Sequence, residues 1–134
     1  MQTSEPIIVG TDGSETAERA VDRAGAIARA LGATVHVVSA FSRDPAPERG
    51  GERARAQQSV DRAEQRLSKL GVESEGHLWP GEAGRALVQV AEEQGAQMIV
   101  VGNKGMAGAR RVLGSVPNHV SHHARCDVLI VSTT

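Results

Sequence analysis

Apolar residues along this chain follow two alternating patterns. Short apolar segments predict strands at residues 6–9, 34–40, 72–79, 98–101 and 127–132, and between them apolar residues recur every three or four positions, the spacing of amphipathic helices. The segment 72–79 is the most polar of the five, so we expect it near an edge of the sheet. Strands and helices that alternate in this way are typical of an α/β fold with a mainly parallel sheet.

Residues suited to helix termini support these boundaries. Gly32, Gly71 and Gly95 each follow a helical segment, where a left-handed glycine commonly ends a helix. Ser14 is predicted to cap the first helix and Ser115 the last, because a serine hydroxyl accepts a hydrogen bond from a free backbone N–H. The predicted buried face of the first helix consists of Ala17, Ala20, Val21, Ala24, Ile27, Ala28 and Leu31.

A glycine-bearing loop follows the fourth predicted strand. Gly102 and Gly105 come first, and Gly114 and Ser115 then open a helix. Ligands of parallel α/β sheets bind beyond the carboxyl ends of the strands. Glycines allow backbone N–H groups to approach a phosphate, and a helix N-terminus attracts negative charge. We therefore predict a phosphate-binding loop here.

The charges around this loop agree with that prediction. No acidic residue occurs between Glu93 and Asp127, whereas Lys104, Arg110 and Arg111 do. For each single arginine a solvated basic face is an equally good interpretation, and Lys104 is the predicted phosphate contact. Neither G-x-x-x-x-G-K-[ST] nor G-x-G-x-x-G after the first strand is present, so the machinery of P-loop hydrolysis and of dinucleotide redox chemistry is missing.

Asp12 ends the first strand at the predicted binding edge, and it has two interpretations. Its carboxylate can accept a hydrogen bond from a ligand or help to hold Mg²⁺. Equally, it can form an Asx-turn that leads into the first helix. Thr11 and Ser14 share this ambiguity.

Composition narrows the class of protein. The 134 residues fit one domain spanning 1–134, and a net charge of −1 argues against a polyelectrolyte role on nucleic acid or an anionic membrane. One Phe, one Trp and no Tyr leave few rings for stacking bases. A single cysteine, no apolar leader and no apolar run of membrane length predict a cytoplasmic protein.

The last predicted helix carries histidines that invite a metal hypothesis. His119 and His123 are four residues apart and can share a helix face, but no third ligand is evident, so contacts with helix C-terminal carbonyls are the preferred interpretation. Cys126 follows Arg125, which could lower the pKa of the thiol. Packing between helix and strand is the preferred role for this cysteine.

These motifs together resemble the universal stress protein family over essentially the whole chain. The matching segments are 8–14 (IVGTDGS), 100–106 (VVGNKGM), 113–118 (LGSVPN) and 123–131 (HARCDVLIV). The resemblance implies a five-stranded parallel sheet of order 3-2-1-4-5 with four helices on its two faces, and a homodimer formed through residues 128–132. It is strongest to the ATP-binding branch, in which G-x-x-G and G-[ST] are separated by nine residues, whereas this chain has eight, 106–113.

The resemblance also implies the ligand contacts. Asp12 matches a contact to the adenine or ribose, and Ala40 matches a residue of the adenine pocket. The complete set of implied nucleotide-binding residues is Val9, Gly10, Thr11, Asp12, Ala40, Val101, Gly102, Asn103, Lys104, Gly105, Gly114, Ser115, Val116 and Pro117, with Asp12 also a candidate for Mg²⁺.

We therefore expect a stress-response regulator that binds an adenine nucleotide, ATP first and cyclic AMP as the alternative. No activated nucleophile or positioned base is evident, so hydrolysis is expected to be slow at most. A dimeric scaffold with a vestigial pocket is the second hypothesis, suggested by the shortened spacer.

Overall fold

The computed structural model describes residues 4–42, 51–103 and 114–132. Five strands alternate with four helices along these residues. In chain order the elements are β1 (Ile7–Gly10), α1 (Glu15–Leu31), β2 (Val35–Phe41), α2 (Gly51–Lys69), β3 (Ser74–Pro80), α3 (Ala83–Gln94), β4 (Met98–Gly102), α4 (Ser115–His123) and β5 (Asp127–Val131).

All five strands form one parallel sheet in the order β3-β2-β1-β4-β5. The predicted α/β class and strand order are thereby confirmed, and β3 lies at an edge as its polarity indicated. The strand order reverses at β1, which pairs with β2 on one side and with β4 on the other. A ligand cleft is expected beyond the carboxyl ends of β1 and β4 for that reason.

Alternate residues of the strands build a core on each face of the sheet. Ile7 and Val9 of β1 pack on the face covered by α1 and α2, whereas Ile8 packs on the face covered by α3 and α4. Since side chains of a strand alternate between faces, these short apolar strands serve both cores at once. Both layers are built mainly from Ala, Val, Ile and Leu.

Helix ends agree with the predicted capping glycines. Gly32 and Gly95 have left-handed backbones, with φ of 68° and 63°, and close α1 and α3. The Ser14 hydroxyl accepts a hydrogen bond from the Ala17 N–H at 3.2 Å and caps α1 as predicted.

Two local predictions were wrong. Leu31 was placed on the buried face of α1 but is 47% exposed, because it is the last residue of the helix, beyond Ala28, the last helical residue that is fully buried. Ser115 was placed at the N-cap of α4, whereas Gly114 holds that position with an extended backbone and Ser115 is the first helical residue.

A bidentate ion pair joins the two helices on one face. The guanidinium of Arg66 on α2 donates to both carboxylate oxygens of Asp22 on α1, at 2.9 and 2.6 Å.

The described part of the chain contains no helix that is long and apolar enough to cross a bilayer.

Candidate functional site

A cleft of about 440 Å³ opens beyond the carboxyl ends of β1 and β4, where the strand order reverses. Backbone hydrogen bonds just past the strands hold its edge, from the Thr11 N–H to the Val38 carbonyl and from the Asn103 N–H to the Val131 carbonyl, both 3.0 Å. The cleft is therefore fixed by the sheet itself, at the position where parallel α/β folds bind ligands.

The cleft combines apolar walls with a few polar groups at its rim. Apolar side chains make up most of the surface, and hydroxyls and one carboxylate supply the hydrogen-bonding groups. This is the usual character of a small-molecule site. The lining residues are Gly10, Thr11, Asp12, Ser14, Thr16, Ala17, Val38, Ala40, Ala83, Leu87, Val101, Gly102, Gly114, Ser115, Val116 and Pro117.

The turn after β1 shapes one side of the cleft. The Asp12 carboxylate accepts from the Ser14 N–H at 2.9 Å, and the Thr11 hydroxyl accepts from the Gly13 N–H at 3.1 Å. Gly13 has a φ of 82°, and a Cβ there would lie 2.8 Å from the Arg62 guanidinium, which donates to the Gly13 carbonyl at 2.9 Å. The left-handed backbone of this turn favours glycine, because other side chains rarely adopt it.

The N-terminus of α4 forms the opposite side. Gly114 is its N-cap, without a side chain that could cap the helix, and Ser115, Val116 and Pro117 form the first turn. All four residues line the cleft. The positive end of the helix dipole is therefore directed to the region where an anionic group would bind.

Comparison with known proteins identifies the family. The sequence model of the universal stress protein family matches residues 3–132. The chain belongs to this family. Universal stress protein Rv1636 of Mycobacterium tuberculosis (strain H37Rv) is 37% identical over 147 residues, which covers 100% of both chains.

Two solved structures of universal stress proteins carry a nucleotide. One is a universal stress protein in complex with cAMP, 33% identical, with a TM-score of 0.83 over 99% of this chain and 100% of that chain. The other, from Archaeoglobus fulgidus in complex with dAMP, is 28% identical, with a TM-score of 0.78 over 96% of this chain and 98% of that chain.

Most of the residues that the family resemblance implied meet at this cleft. Gly10, Thr11, Asp12, Ala40, Val101, Gly102, Gly114, Ser115, Val116 and Pro117 line it. Val9 is fully buried in the core beside α1, and neither Val9 nor the 5% exposed Asn103 is among the described residues that line the cleft. Lys104, Gly105, Arg110 and Arg111 lie outside the described residues. Nucleotide binding by the whole set stays a prediction.

The cleft also includes residues that the sequence did not single out. Val38 lies two residues before Ala40 and therefore on the same face of β2, while Ala83 and Leu87 are one turn apart on α3. The sequence contained a signal for each of these residues. Strand alternation places Val38 on the same face as Ala40, and Ala83 and Leu87 belong to a helix that begins directly after the carboxyl end of β3. Thr16 and Ala17 enter from the first turn of α1.

The histidines at the end of α4 contact backbone carbonyls of the helix, as the preferred interpretation of the sequence predicts. The Nδ1 atoms of His122 and His123 lie 2.8 Å from the carbonyl oxygens of Asn118 and His119, one turn earlier in each case. The rings of His119 and His123 stack with their centroids 4.1 Å apart. Burial, followed by the neighbouring His123, lowers the pKa of His119.

Cys126 does not have the lowered thiol pKa that the neighbouring Arg125 could have produced. Burial raises the pKa of Cys126, and the adjacent Asp127 adds to the effect. The Arg125 guanidinium instead lies 3.6 Å from the Glu92 carboxylate. Cys126 is half-buried and packs against the core between the sheet and α3 and α4, the packing role that was preferred.

Proposed function

We propose that this universal stress protein binds an adenine nucleotide in the cleft and acts as a stress-response regulator. One observation carries the proposal: the N-terminus of α4 lines the same apolar cleft that opens where the strand order reverses. The cAMP and dAMP complexes of relatives with the same fold support it.

Each part of the cleft suits one part of such a ligand. Val38, Ala40 and Leu87 offer apolar surface for a flat base. The Asp12 carboxylate, exposed at the rim, can accept from a ribose hydroxyl or a base amine while its Oδ1 also holds the turn. A phosphate needs hydrogen-bond donors, and the N–H groups at the start of α4 together with the Ser115 hydroxyl can supply them.

We propose ATP as the ligand, with cyclic AMP as the alternative. The motifs that resemble the ATP-binding branch support ATP, and the relative solved with cAMP supports the alternative. Asp12 carries the carboxylate among the described lining residues, and Mg²⁺ usually binds through one or two carboxylates together with phosphate oxygens. Asp12 therefore fits a magnesium ion that arrives with ATP and would help to neutralise the phosphates.

The chemistry of the lining favours binding over rapid turnover. Its described residues include a single ionisable side chain, that of Asp12, and no histidine, lysine or cysteine. An activated nucleophile requires an adjacent base, and that pair is missing from this described lining. We propose slow ATP hydrolysis at most.

We further propose a cytoplasmic homodimer joined through residues 128–132. The edge position of β5 supports this assembly, because its outer backbone groups have no neighbouring strand within the described chain. Val128, Leu129 and Ile130 are only half-buried, so a second copy would cover apolar surface as well.

A paired variant tests the binding site. Gly114→Ala together with Ser115→Ala adds a methyl group at the helix N-terminus and removes a hydroxyl donor. Because one lost hydrogen bond is worth about 0.5–1.5 kcal/mol, we expect affinity for ATP or cyclic AMP to fall about tenfold. Displacement of a fluorescent adenine nucleotide measures the change.

Ser121→Ala is the matched control on the same helix. The Ser121 hydroxyl donates to the Asn118 carbonyl at 2.9 Å and does not line the cleft. The control should bind like the wild type. Unchanged affinity in the paired variant would contradict the proposed site, and mass spectrometry of a co-purified ligand would decide between ATP and cyclic AMP.

A further inference from the structure

A compact group of metal-binding side chains lies on β2 and β3, outside the cleft lining. The sheet register pairs His36 with Glu75 and Val38 with His77. Since alternate residues of a strand share a face, His36, Glu75 and His77 project from the same face of the sheet. One ligand atom from each of the three lies within 4.8 Å of the other two.

The two histidines approach each other through their ring nitrogens. His36 Nδ1 and His77 Nε2 are 2.8 Å apart, and His36 Nδ1 is 3.4 Å from a Glu75 carboxylate oxygen. Two imidazole nitrogens at this distance share one proton in an N–H···N hydrogen bond, and a cation bound by both nitrogens can take the place of that proton. Ligand atoms about 2.0–2.1 Å from a tetrahedral Zn²⁺ are roughly 3.3 Å apart, so a modest separation of the rings would admit the ion.

Burial prepares His36 as a ligand. The residue is 7% exposed, so the packing around it restricts the position of its imidazole. The Glu75 side chain is 69% exposed, which leaves an approach from solvent. The group thus combines one fixed buried nitrogen with an accessible carboxylate.

We propose that His36, Glu75 and His77 form a binding site for a divalent transition-metal ion, with Zn²⁺ as the ion that the donor set favours. Two imidazole nitrogens and one carboxylate are a common zinc ligand set, and the fourth position would be taken by water. None of the three side chains is among the described residues that line the proposed nucleotide cleft, although His77 pairs with Val38, which does line it. Metal binding would add a side-chain link between β2 and β3, which already pair through their backbones.

Metal titration of the purified, tag-free chain tests this proposal. We expect Zn²⁺ to bind in a one-to-one ratio by calorimetry, and Co²⁺ to give the visible absorption bands of a four-coordinate site. Loss of even an outer-shell partner costs about 10–100-fold in metal affinity, so His77→Gln and Glu75→Gln should each weaken binding by at least about tenfold. Because the Glu75 side chain is exposed, Glu75→Gln should fold like the wild type.

His122→Gln is the matched histidine control. His122 is exposed on α4, away from β2 and β3, and its variant should bind Zn²⁺ like the wild type. Zn²⁺ affinity that is unchanged in both His77→Gln and Glu75→Gln would overturn the proposal, as would a loss of binding in His122→Gln instead. Failure of the wild type to bind Zn²⁺ or Co²⁺ would show that the two histidines share only a proton.

Discussion

Replacing Gly76 by alanine should destabilise the contact between α2 and β3. Gly76 lies on the face of β3 that α2 covers, and a Cβ at this position would lie 2.3 Å from Val60 Cγ1 and 2.9 Å from a Glu64 carboxylate oxygen. Ordinary contacts of a Cβ begin at 3.4 Å, so the neighbours must move by about 1 Å. Glu64 can turn away, but Val60 is 2% exposed and β-branched, with little rotamer freedom.

The size of the effect follows from two opposing terms. Overpacking of a core costs about 1–3 kcal/mol. Alanine recovers roughly 0.5–1 kcal/mol relative to glycine within a strand, because the unfolded chain loses less entropy. We therefore expect Gly76→Ala to lower the free energy of unfolding by about 1–2 kcal/mol, which corresponds to a fall in Tm of roughly 4–8 °C.

A double-mutant cycle in urea isolates the contact. Val60→Ala alone removes two methyl groups, worth about 1.6 kcal/mol, and leaves a cavity. In the double variant the methyl group introduced by Gly76→Ala enters that cavity without a clash, so the combined loss should fall short of the sum of the single losses by about 1 kcal/mol or more. Strictly additive losses, or a Gly76→Ala protein as stable as the wild type, would refute this account of the packing.

Two further predictions concern the cleft and the thiol. Leu87 is 1% exposed and its methyl groups lie over Gly10, so Leu87→Ala should lower the free energy of unfolding by about 2–4 kcal/mol and weaken nucleotide binding. Val88 is on the same helix but outside the cleft lining, so Val88→Ala should leave nucleotide binding unchanged in a parallel titration. Because burial and Asp127 raise the pKa of Cys126, its thiol stays protonated at neutral pH. Its reaction with a disulfide reagent should therefore be slower than that of a free thiol, and the rate should still increase with pH at about pH 9. A rate that has already reached its plateau near pH 7 would contradict this prediction.

Local patterns were sufficient to predict the elements of the fold. Apolar runs and helical spacings are set by neighbours in sequence, and Gly32, Gly95 and Ser14 act on the turn next to them. Leu31 and Ser115 were misplaced because each sits at a helix end. Exposure there depends on how far the helix extends past the core, and the capping position depends on a single residue's backbone angles.

The candidate site was predictable where its residues follow strands directly. Asp12, Gly102 and Gly114 are marked by strand ends and glycines along the chain, and all three line the cleft. Leu87 reaches the cleft only through the packing of α3 on the sheet, which no local pattern specifies. His36 and His77 are 41 residues apart, and only the register of β2 on β3 brings them together.

Calorimetric titration of the wild-type protein with ATP, ADP and cyclic AMP tests the central claim most directly. The account predicts saturable heat with one nucleotide bound per chain for at least one of the three, and an affinity about tenfold lower in the Gly114→Ala, Ser115→Ala variant. No heat with any of them at about millimolar ligand, where even weak sites bind, together with no competition among them, would contradict an adenine-nucleotide site in this cleft.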